Sequence, residues 1–243
     1  MPGEQRGGGI GIYNVSMSGF SPLPLSPPPS TPARTPSLLD SLIAEADRAL
    51  RTLSGVVATT RPNPAHSAPE TITAPAEKRR IAALMRINHS GEIAAQALYH
   101  GQAFVARDPA TRAALLDAAR EEGDHLVWCA GRIHELGGRT SLLDPLWYGG
   151  SFAIGVLAAS MGDAASFGFV AETERQVGDH LESHLQQLPA GDERTRAILS
   201  QMRVDEAHHG GEALRSGGTP LPLPVRAAMK LSGKVMTTAA RWL

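Results

Sequence analysis

The feature of this sequence that most restricts its fold is an arrangement of acidic and histidine residues that occurs twice. In the first half, Glu92 is followed after 30 residues by the motif Glu122-Gly-Asp-His125. In the second half, Glu174 is followed after 32 residues by the motif Glu206-Ala-His-His209. Nearly equal separations are expected when one helical hairpin is present in two copies, so the pattern predicts two hairpins of long helices.

Each of the four glutamates lies on the apolar face of its predicted helix, where side chains point towards the interior. The positions that share a face are spaced by three and four residues. Glu172 lies about 200° from Glu174 on a helical wheel, so Glu174 is the glutamate of the third face. The residues that share these faces are Met85, Asn88, Ala95 and Tyr99 for Glu92, Leu115, Ala119 and Leu126 for Glu122, Phe167, Val170 and Val177 for Glu174, and Leu199, Met202 and Ala213 for Glu206.

Four carboxylates that converge in an apolar bundle would strongly destabilise it as free charges, so they must be protonated or bind cations. One glutamate from each of two helices, with a Glu-x-x-His motif from each of the other two, is the ligand arrangement of ferritin-like di-iron and di-manganese proteins. Oxygen ligands with one imidazole per metal suit iron or manganese. The competing interpretation, four solvated acids on marginal helices, conflicts with the apolar faces. The predicted metal ligands are Glu92, Glu122, His125, Glu174, Glu206 and His209.

Other residues near these positions have separate interpretations. The acidic residue directly before each Glu-x-x-His motif, Glu121 or Asp205, is in position to orient a ligating histidine. Tyr99 either faces the cluster or packs in the core, and the sequence gives both interpretations equal weight. Cys129, one helical turn beyond His125, is interpreted as a small core residue and not as a ligand.

The composition excludes several other classes of protein. Its 23 basic and 24 acidic residues are balanced, which indicates neither a nucleic-acid-binding surface nor an acidic tail. The single cysteine excludes an intrachain disulfide framework and fits a reducing compartment. The first residues lack the charged start and apolar run of a secretory signal, so the chain is expected to stay inside the cell.

Proline divides the chain into regions, because 12 of the 18 prolines lie in residues 1–75. Residues 1–36 are predicted to be a disordered leader, 37–55 a capped amphipathic helix, and 56–76 a linker. Residues 77–243 are predicted to form an all-α, ferritin-like four-helix bundle of two repeated hairpins. Extra amphipathic helices are predicted at both ends, one before this bundle and one after it. The predicted helices of this region are 77–106, 110–136, 151–188 and 192–215, with a C-terminal amphipathic helix at 224–242.

Two segments indicate a surface for contact with a membrane. Residues 145–162 contain no charge over 18 positions, a length that is marginal for a spanning helix and is interrupted by proline and glycine. The C-terminal helix places Arg226, Lys230 and Lys234 at intervals of four residues, opposite an apolar face. These features predict a peripheral membrane surface, and a contact between subunits explains them equally well.

Five motifs together carry a resemblance to a known family: Arg86-Ile-Asn-His-Ser-Gly-Glu92, Tyr99-His-Gly-Gln102, Glu122-Gly-Asp-His125-Leu, Asp144-Pro-Leu-Trp147 and Asp205-Glu-Ala-His-His209. Over about residues 37–243 the chain resembles the di-iron demethoxyubiquinol hydroxylases of ubiquinone biosynthesis. The resemblance implies that the six predicted ligands hold two iron ions, Fe2+ in the resting reduced form, with Glu122 and Glu206 as bridges. It also implies that O2 hydroxylates the ring of a 2-polyprenyl-3-methyl-6-methoxy-1,4-benzoquinol at this centre.

The resemblance further implies a location and a set of partners. The expected location is the cytoplasmic face of the bacterial inner membrane, as a peripheral protein. The expected partners are the polyprenyl benzoquinol, O2, the membrane surface, other proteins of ubiquinone biosynthesis, and further copies of the chain in a homo-oligomer. Nucleic acid is not an expected partner.

Three other functions compete with this interpretation. A ferritin-type ferroxidase would store iron with the same ligands and would need a soluble, cage-forming surface, against which the uncharged segment 145–162 and the basic C-terminal helix argue. A non-enzymatic scaffold of a quinone-biosynthesis complex would keep the metal site for structure alone. A hydroxylase acting on tRNA is disfavoured by the balanced charge.

Overall fold

The computed structural model describes residues 37–242, and in this range the chain forms helices and connecting segments without a β-strand. The all-α class that the helical spacing predicts is therefore confirmed. The predicted disorder of residues 1–36 lies outside the described residues. The helices are α1 (Leu38–Ser54), α2 (Pro75–Val105), α3 (Pro109–Glu135), α4 (Asp144–Ser160), α5 (Asp163–Gln187), α6 (Glu193–Arg215) and α7 (Leu223–Ala240).

The bundle consists of two helical hairpins, α2 with α3 and α5 with α6, as the internal repeat predicts. The terminal helices α1 and α7 both contact α2. Helix α4 connects the two hairpins and packs along α2 in the opposite direction, because Gly101 of α2 contacts Phe152 while Leu98 contacts Gly155 further along α4. The arrangement is a ferritin-like four-helix bundle with additional helices.

The predicted single helix over residues 151–188 is wrong, because two helices cover this segment. Helix α4 ends at Ser160 and α5 begins at Asp163. Gly162 between them has a φ of 106°, a backbone conformation that glycine adopts without steric cost. Helix α4 also begins earlier than predicted, with Pro145 in its first turn, where proline is well tolerated. None of the helices in the described range is long and apolar enough to span a membrane.

Local sequence explains where several helices begin and end. Helix α1 begins after Ser37, whose hydroxyl accepts the Asp40 backbone N–H while the Asp40 carboxylate accepts the Ser37 backbone N–H. Asp108 and Asp192 accept backbone N–H groups at the starts of α3 and α6 in a similar way. Helix α1 ends at Ser54, and the next residue, Gly55, has a φ of 69° and caps the helix. The caps therefore fix the second helix of each bundle hairpin at its start.

The apolar core of the described residues has three clusters, and the predicted ligands separate the two largest of them. On each bundle helix the ligand positions lie between a segment that contributes to one cluster and a segment that contributes to the other. The polar centre is consequently closed off by apolar side chains above and below. The larger cluster includes Met85, Trp128, Leu181 and Leu199, and the smaller one includes Tyr99, Leu115, Phe167 and Ala213.

Helices α2 and α4 approach so closely that their contact requires glycine. A Cβ atom on Gly155 would lie 2.2 Å from the carbonyl oxygen of Leu98. We expect Gly155→Ala to lower the free energy of unfolding by about 1–3 kcal/mol, because the two helices must separate. The matched control is Gly150→Ala on the same helix, where the described residues leave open space and alanine is expected to be neutral or stabilising by up to about 1 kcal/mol. Urea denaturation measures both variants, and equal stabilities would contradict the close contact.

Candidate metal centre

The six predicted ligands lie together in the middle of the bundle. They come from four different helices, and none has more than 7% of its surface exposed. Donor atoms of four of them lie within 4.8 Å of one another, and the other two adjoin this group. The four are Glu92 of α2, Glu122 and His125 of α3, and Glu206 of α6, and the two are Glu174 of α5 and His209 of α6.

The two imidazole rings direct their Nδ1 atoms at the same two carboxylates. Nδ1 of His125 lies 2.8 Å from Glu122 Oε2 and 3.3 Å from Glu206 Oε1. Nδ1 of His209 lies 3.0 Å from Glu122 Oε1 and 3.6 Å from Glu206 Oε2. Each of these carboxylates therefore turns one oxygen towards each imidazole, which is the geometry needed to connect two neighbouring metal ions.

The remaining two glutamates each adjoin one side of this group. Glu92 Oε2 lies 3.6 Å from Nδ1 of His125. Glu174 lies beside Glu206 and accepts a hydrogen bond from the hydroxyl of Tyr99. Both interpretations of Tyr99 are confirmed, because its ring packs in the smaller apolar cluster while its hydroxyl faces the ligands. The centre thus has one outer glutamate for each histidine.

The outer ring nitrogen of each histidine, Nε2, contacts the acidic residue that precedes the other Glu-x-x-His motif. Nε2 of His125 lies 2.9 Å from Asp205 Oδ2, and Nε2 of His209 lies 2.9 Å from Glu121 Oε2. The sequence predicts that these acids orient a histidine, and the structure shows that each acid contacts the histidine of the other helix: the acid on α6 contacts the histidine of α3, and the acid on α3 contacts the histidine of α6. A carboxylate that accepts the outer ring N–H fixes the tautomer and keeps the other nitrogen free to bind metal.

Sequence analysis missed Arg61, which forms ion pairs with Asp124 and Asp205. The linker that carries Arg61 has no helical periodicity, so its sequence contains no signal for which side chains point inwards. Asp124 lies inside the Glu122 motif, and its position there gave no indication of a linker contact. Only the tertiary structure brings these three charged residues together beside His125.

Burial and close charges shift the pKa values of the cluster in opposite directions. Burial, reinforced by neighbouring carboxylates, raises the pKa values of Glu92 and Glu174 well above their ordinary value. Although burial opposes the effect, the imidazoles of His125 and His209 lower the pKa of Glu122. Burial also opposes a rise in the pKa of His209, but the close carboxylates of Glu122, Glu206 and Glu121 raise it to about 12. The carboxylates therefore compete for positive charge, which a divalent cation would supply.

Several donor atoms of the cluster are buried without a hydrogen-bond partner among the described residues. They are Oε1 of Glu122, both carboxylate oxygens of Glu206 and Nδ1 of His209. Buried polar atoms normally have a partner, so four such atoms in one place indicate a missing electrophile. Carboxylate oxygens with imidazole nitrogens are a donor set for iron or manganese. The residues present therefore fit metal ions of this kind.

A groove between α5 and α6 reaches the cluster from the surface. Its volume is about 570 Å³, and Glu174 and Glu206 are among the residues that line it. Gly178, Gly210 and Gly211 form part of its walls, so no bulky side chain from these positions fills it. The volume lies within the range of small-molecule sites.

Two residues near the cluster take no part in it. Glu172, which the helical wheel places on another face, forms ion pairs with Arg175 and Arg226. Hydrogen bonds from Arg175 are the main cause that lowers the pKa of Glu172 to about 2. Cys129 is fully buried in the larger apolar cluster, with its Sγ 3.7 Å from the Sδ of Met202, in agreement with its interpretation as a core residue.

We expect Asp205→Asn to weaken metal binding by about 10- to 100-fold, because an amide is a poorer acceptor for the His125 ring N–H than a carboxylate. Competitive titration of Fe2+ against a chelator measures the affinity. Asp179→Asn on α5 is the matched control, since Asp179 is exposed and forms an ion pair with Arg175 of the same helix. Equal affinities of the two variants would contradict an orienting role for Asp205.

Fold and site together define a class of protein: a four-helix bundle with a buried cluster of four glutamates and two histidines that can hold metal. The family model described as "Ubiquinone biosynthesis protein COQ7" matches residues 79–240, which is more than half of the chain. The chain belongs to this family. The family resemblance predicted from the sequence motifs is thereby confirmed.

Curated relatives agree with this assignment. A protein of Ralstonia pickettii is 56% identical over 214 residues, which cover 84% of this chain and 99% of the relative. A protein of Cupriavidus metallidurans is 58% identical over 204 residues, which cover 83% and 99%. A protein of Bordetella petrii is 52% identical over 227 residues, which cover 93% and 97%. Each of the three is named "3-demethoxyubiquinol 3-hydroxylase".

Proposed function

We propose that this protein is a monooxygenase of ubiquinone biosynthesis that hydroxylates the ring of a 2-polyprenyl-3-methyl-6-methoxy-1,4-benzoquinol with O2. The observation that carries the proposal is the convergence of four glutamates and two histidines from four helices. The names of the relatives support the same reaction and the same substrate class. One oxygen atom enters a ring C–H bond, and the other is reduced to water with two electrons from a reductant.

We assign the six ligands to two iron ions. Glu92 and His125 would hold one ion, and Glu174 and His209 would hold the other. Glu122 and Glu206 would lie between the ions, which is supported by the way each turns one oxygen to each imidazole. When bound, a ferrous pair supplies the electrons and open coordination positions that activation of dioxygen requires.

The residues of the chain itself bind, orient and exclude water. Asp205 and Glu121 hold the outer ring nitrogens of the histidines. Tyr99 donates its hydroxyl hydrogen to Glu174 and so limits the positions of that carboxylate. The two apolar clusters keep bulk water away from the centre, which suppresses side reactions of activated oxygen. The groove beside Glu174 and Glu206 offers the quinol ring an approach to the centre.

We propose peripheral attachment to the cytoplasmic face of the bacterial inner membrane through α1, α4 and α7. All three helices carry exposed apolar side chains, and Lys230 and Lys234 lie beside those of α7. Apolar side chains next to basic ones suit an anionic lipid surface. The exposed residues are Leu38, Leu39, Leu42, Ile43 and Leu50 of α1, Leu146, Ile154 and Leu157 of α4, and Leu223, Leu231 and Val235 of α7.

Sedimentation with anionic lipid vesicles tests this attachment. The protein is expected to pellet with vesicles, and Leu231→Glu is expected to weaken this binding several-fold. Leu214→Glu is the matched control, since Leu214 is exposed on α6. If the protein remains in the supernatant and instead forms a discrete oligomer that Leu231→Glu dissociates, these faces are contacts with further copies of the chain. Retention of an added quinone-biosynthesis protein would identify them as a contact with that partner.

The decisive experiment for the reaction uses anaerobically iron-loaded protein, a short-chain demethoxyubiquinol analogue, a reductant and 18O2. One 18O atom in the product ring is the expected result. If iron binds and O2 is consumed while the quinol stays unchanged, the ferroxidase interpretation replaces this proposal. If neither O2 nor the quinol is consumed, the scaffold interpretation replaces it.

A further inference from the structure

The linker between α1 and α2 is packed onto the bundle and does not extend away from it. Its residues Ala65 and Ile72 are buried and belong to the larger apolar cluster. Thr60 donates its backbone N–H and its hydroxyl to Asp124, over 2.7 and 2.8 Å. Asp124 is fully buried and directly precedes His125 on α3. The linker is therefore anchored beside a predicted metal ligand.

Arg61 extends this anchor from α3 to α6. Its Nε donates to Asp124 Oδ2 over 2.9 Å, and its Nη1 donates to Asp205 Oδ2 over 2.8 Å. The same Asp205 oxygen lies 2.9 Å from Nε2 of His125. The guanidinium carbon also lies 5.0 Å from the ring centroid of Trp128, a cation–π contact. The planar guanidinium of Arg61 thus fixes the carboxylates of Asp124 and Asp205, and Asp205 in turn holds the imidazole ring of His125.

The equivalent position in the other half of the centre has no such support. Glu121 lies 2.9 Å from Nε2 of His209, but 52% of its side chain is exposed. Within residues 37–242, no arginine or lysine forms an ion pair with Glu121. The two repeats therefore differ in how firmly they hold their histidines.

We propose that Arg61 is a positioning residue that makes the two metal positions unequal. By fixing Asp205, Arg61 restricts rotation of His125, and the ion at His125 is held more firmly and released more slowly than the ion at His209. This inference rests on the proposed pair of iron ions. It adds to that centre a residue from outside the four bundle helices, so that the linker is part of the metal site.

Release of iron to a chelator tests this inequality. Full-length protein loaded anaerobically with two ferrous ions is mixed with excess ferrozine, and the absorbance of the complex is followed. The parent protein is expected to release its ions in two separate phases. In Arg61→Ala the slower phase is expected to accelerate about tenfold or more, with the faster phase unchanged. In Glu121→Gln only the faster phase is expected to accelerate.

Mössbauer spectra of protein loaded with 57Fe give a readout that a general loss of stability does not change. Arg61→Ala is expected to alter the quadrupole splitting of one of two ferrous sites. Arg61→Lys keeps the charge and can contact one carboxylate, so it is expected to restore part of the parent behaviour. Thr60→Val is the matched control, because it removes the neighbouring hydroxyl contact with Asp124 and leaves Arg61 in place. It is expected to change neither the spectrum nor the release phases.

Each outcome decides between support and rejection. Equal acceleration of both phases, or unchanged release together with an unchanged spectrum, overturns the inference. If circular dichroism shows that Arg61→Ala does not fold, Arg61→Lys and Arg61→Gln undergo the same measurements against the same criteria. A parent protein that binds fewer than two ions contradicts the proposed iron pair itself, which distinguishes that failure from failure of the role of Arg61.

Discussion

Replacing Glu206 by alanine is expected to remove both metal ions from the protein and to abolish hydroxylation. The reason is that Glu206 turns one carboxylate oxygen towards His125 and the other towards His209, so both metal positions lose a ligand. The loss of affinity should exceed the roughly 10- to 100-fold typical of residues that only orient a ligand. Iron content after gel filtration, and mass spectrometry of the quinol product, measure the two effects.

Two further variants make this expectation specific. Glu212→Ala on the same helix is the matched control, because Glu212 is exposed and should affect neither iron nor product. Glu92→Ala should lose mainly one ion, since Glu92 adjoins only His125 of the two histidines. Glu206→Ala is expected to stay folded, because neither carboxylate oxygen of Glu206 has a hydrogen-bond partner among the described residues. Retention of both ions and of turnover in Glu206→Ala would contradict the assignment.

Arg132→Met is expected to lower the free energy of unfolding by about 3–5 kcal/mol, the largest loss of stability that we predict. Arg132 is 1% exposed, and its Nη2 donates to Asp192 over 3.0 Å while its Nε donates to Thr195 over 2.9 Å. It also pairs with Glu70 of the linker. Methionine would leave Asp192 buried without its positive partner. Urea denaturation monitored by circular dichroism measures the loss.

Arg203→Met is the matched control for this prediction. Arg203 pairs with Glu182 between α6 and α5, but both side chains are nearly half exposed. Exposed ion pairs contribute about 0–1 kcal/mol, so this variant should lose little stability. A similar loss in Arg132→Met and Arg203→Met would show that the buried network does not hold α3, α6 and the linker together.

Much of the fold and of the candidate centre could be predicted because both depend on helical periodicity. A ligand that points into a bundle must share a face with apolar residues one or two turns away, and Glu92 lies between Met85 and Tyr99, each two turns away on such a face. Capping residues such as Ser37 and Gly55 predicted the bounds of α1 for a similarly local reason. The division of the chain into leader, helix, linker and bundle stays a prediction.

The remaining features depend on contacts between distant segments. The break at Gly162 was missed because the preceding residues are uncharged and apolar throughout, so no change of pattern marks the end of α4. The crosswise pairing of Asp205 with His125 follows from the packing of α3 against α6, which periodicity within one helix cannot reveal. Arg61 contacts Asp205 across 144 positions of sequence and comes from a segment without a helical face.

That separation of 144 positions has a consequence for biosynthesis. The ribosome completes the linker and the first hairpin long before it adds Asp205 and the second Glu-x-x-His motif. Contacts between such distant segments form late, because the intervening chain must first be ordered. A nascent chain that exposes only Glu92, Glu122 and His125 therefore lacks both the second half of the ligands and the residue that joins Arg61 to His125. The proposed iron ions would thus be held firmly only by a nearly complete chain, and half-made copies are expected to bind little metal.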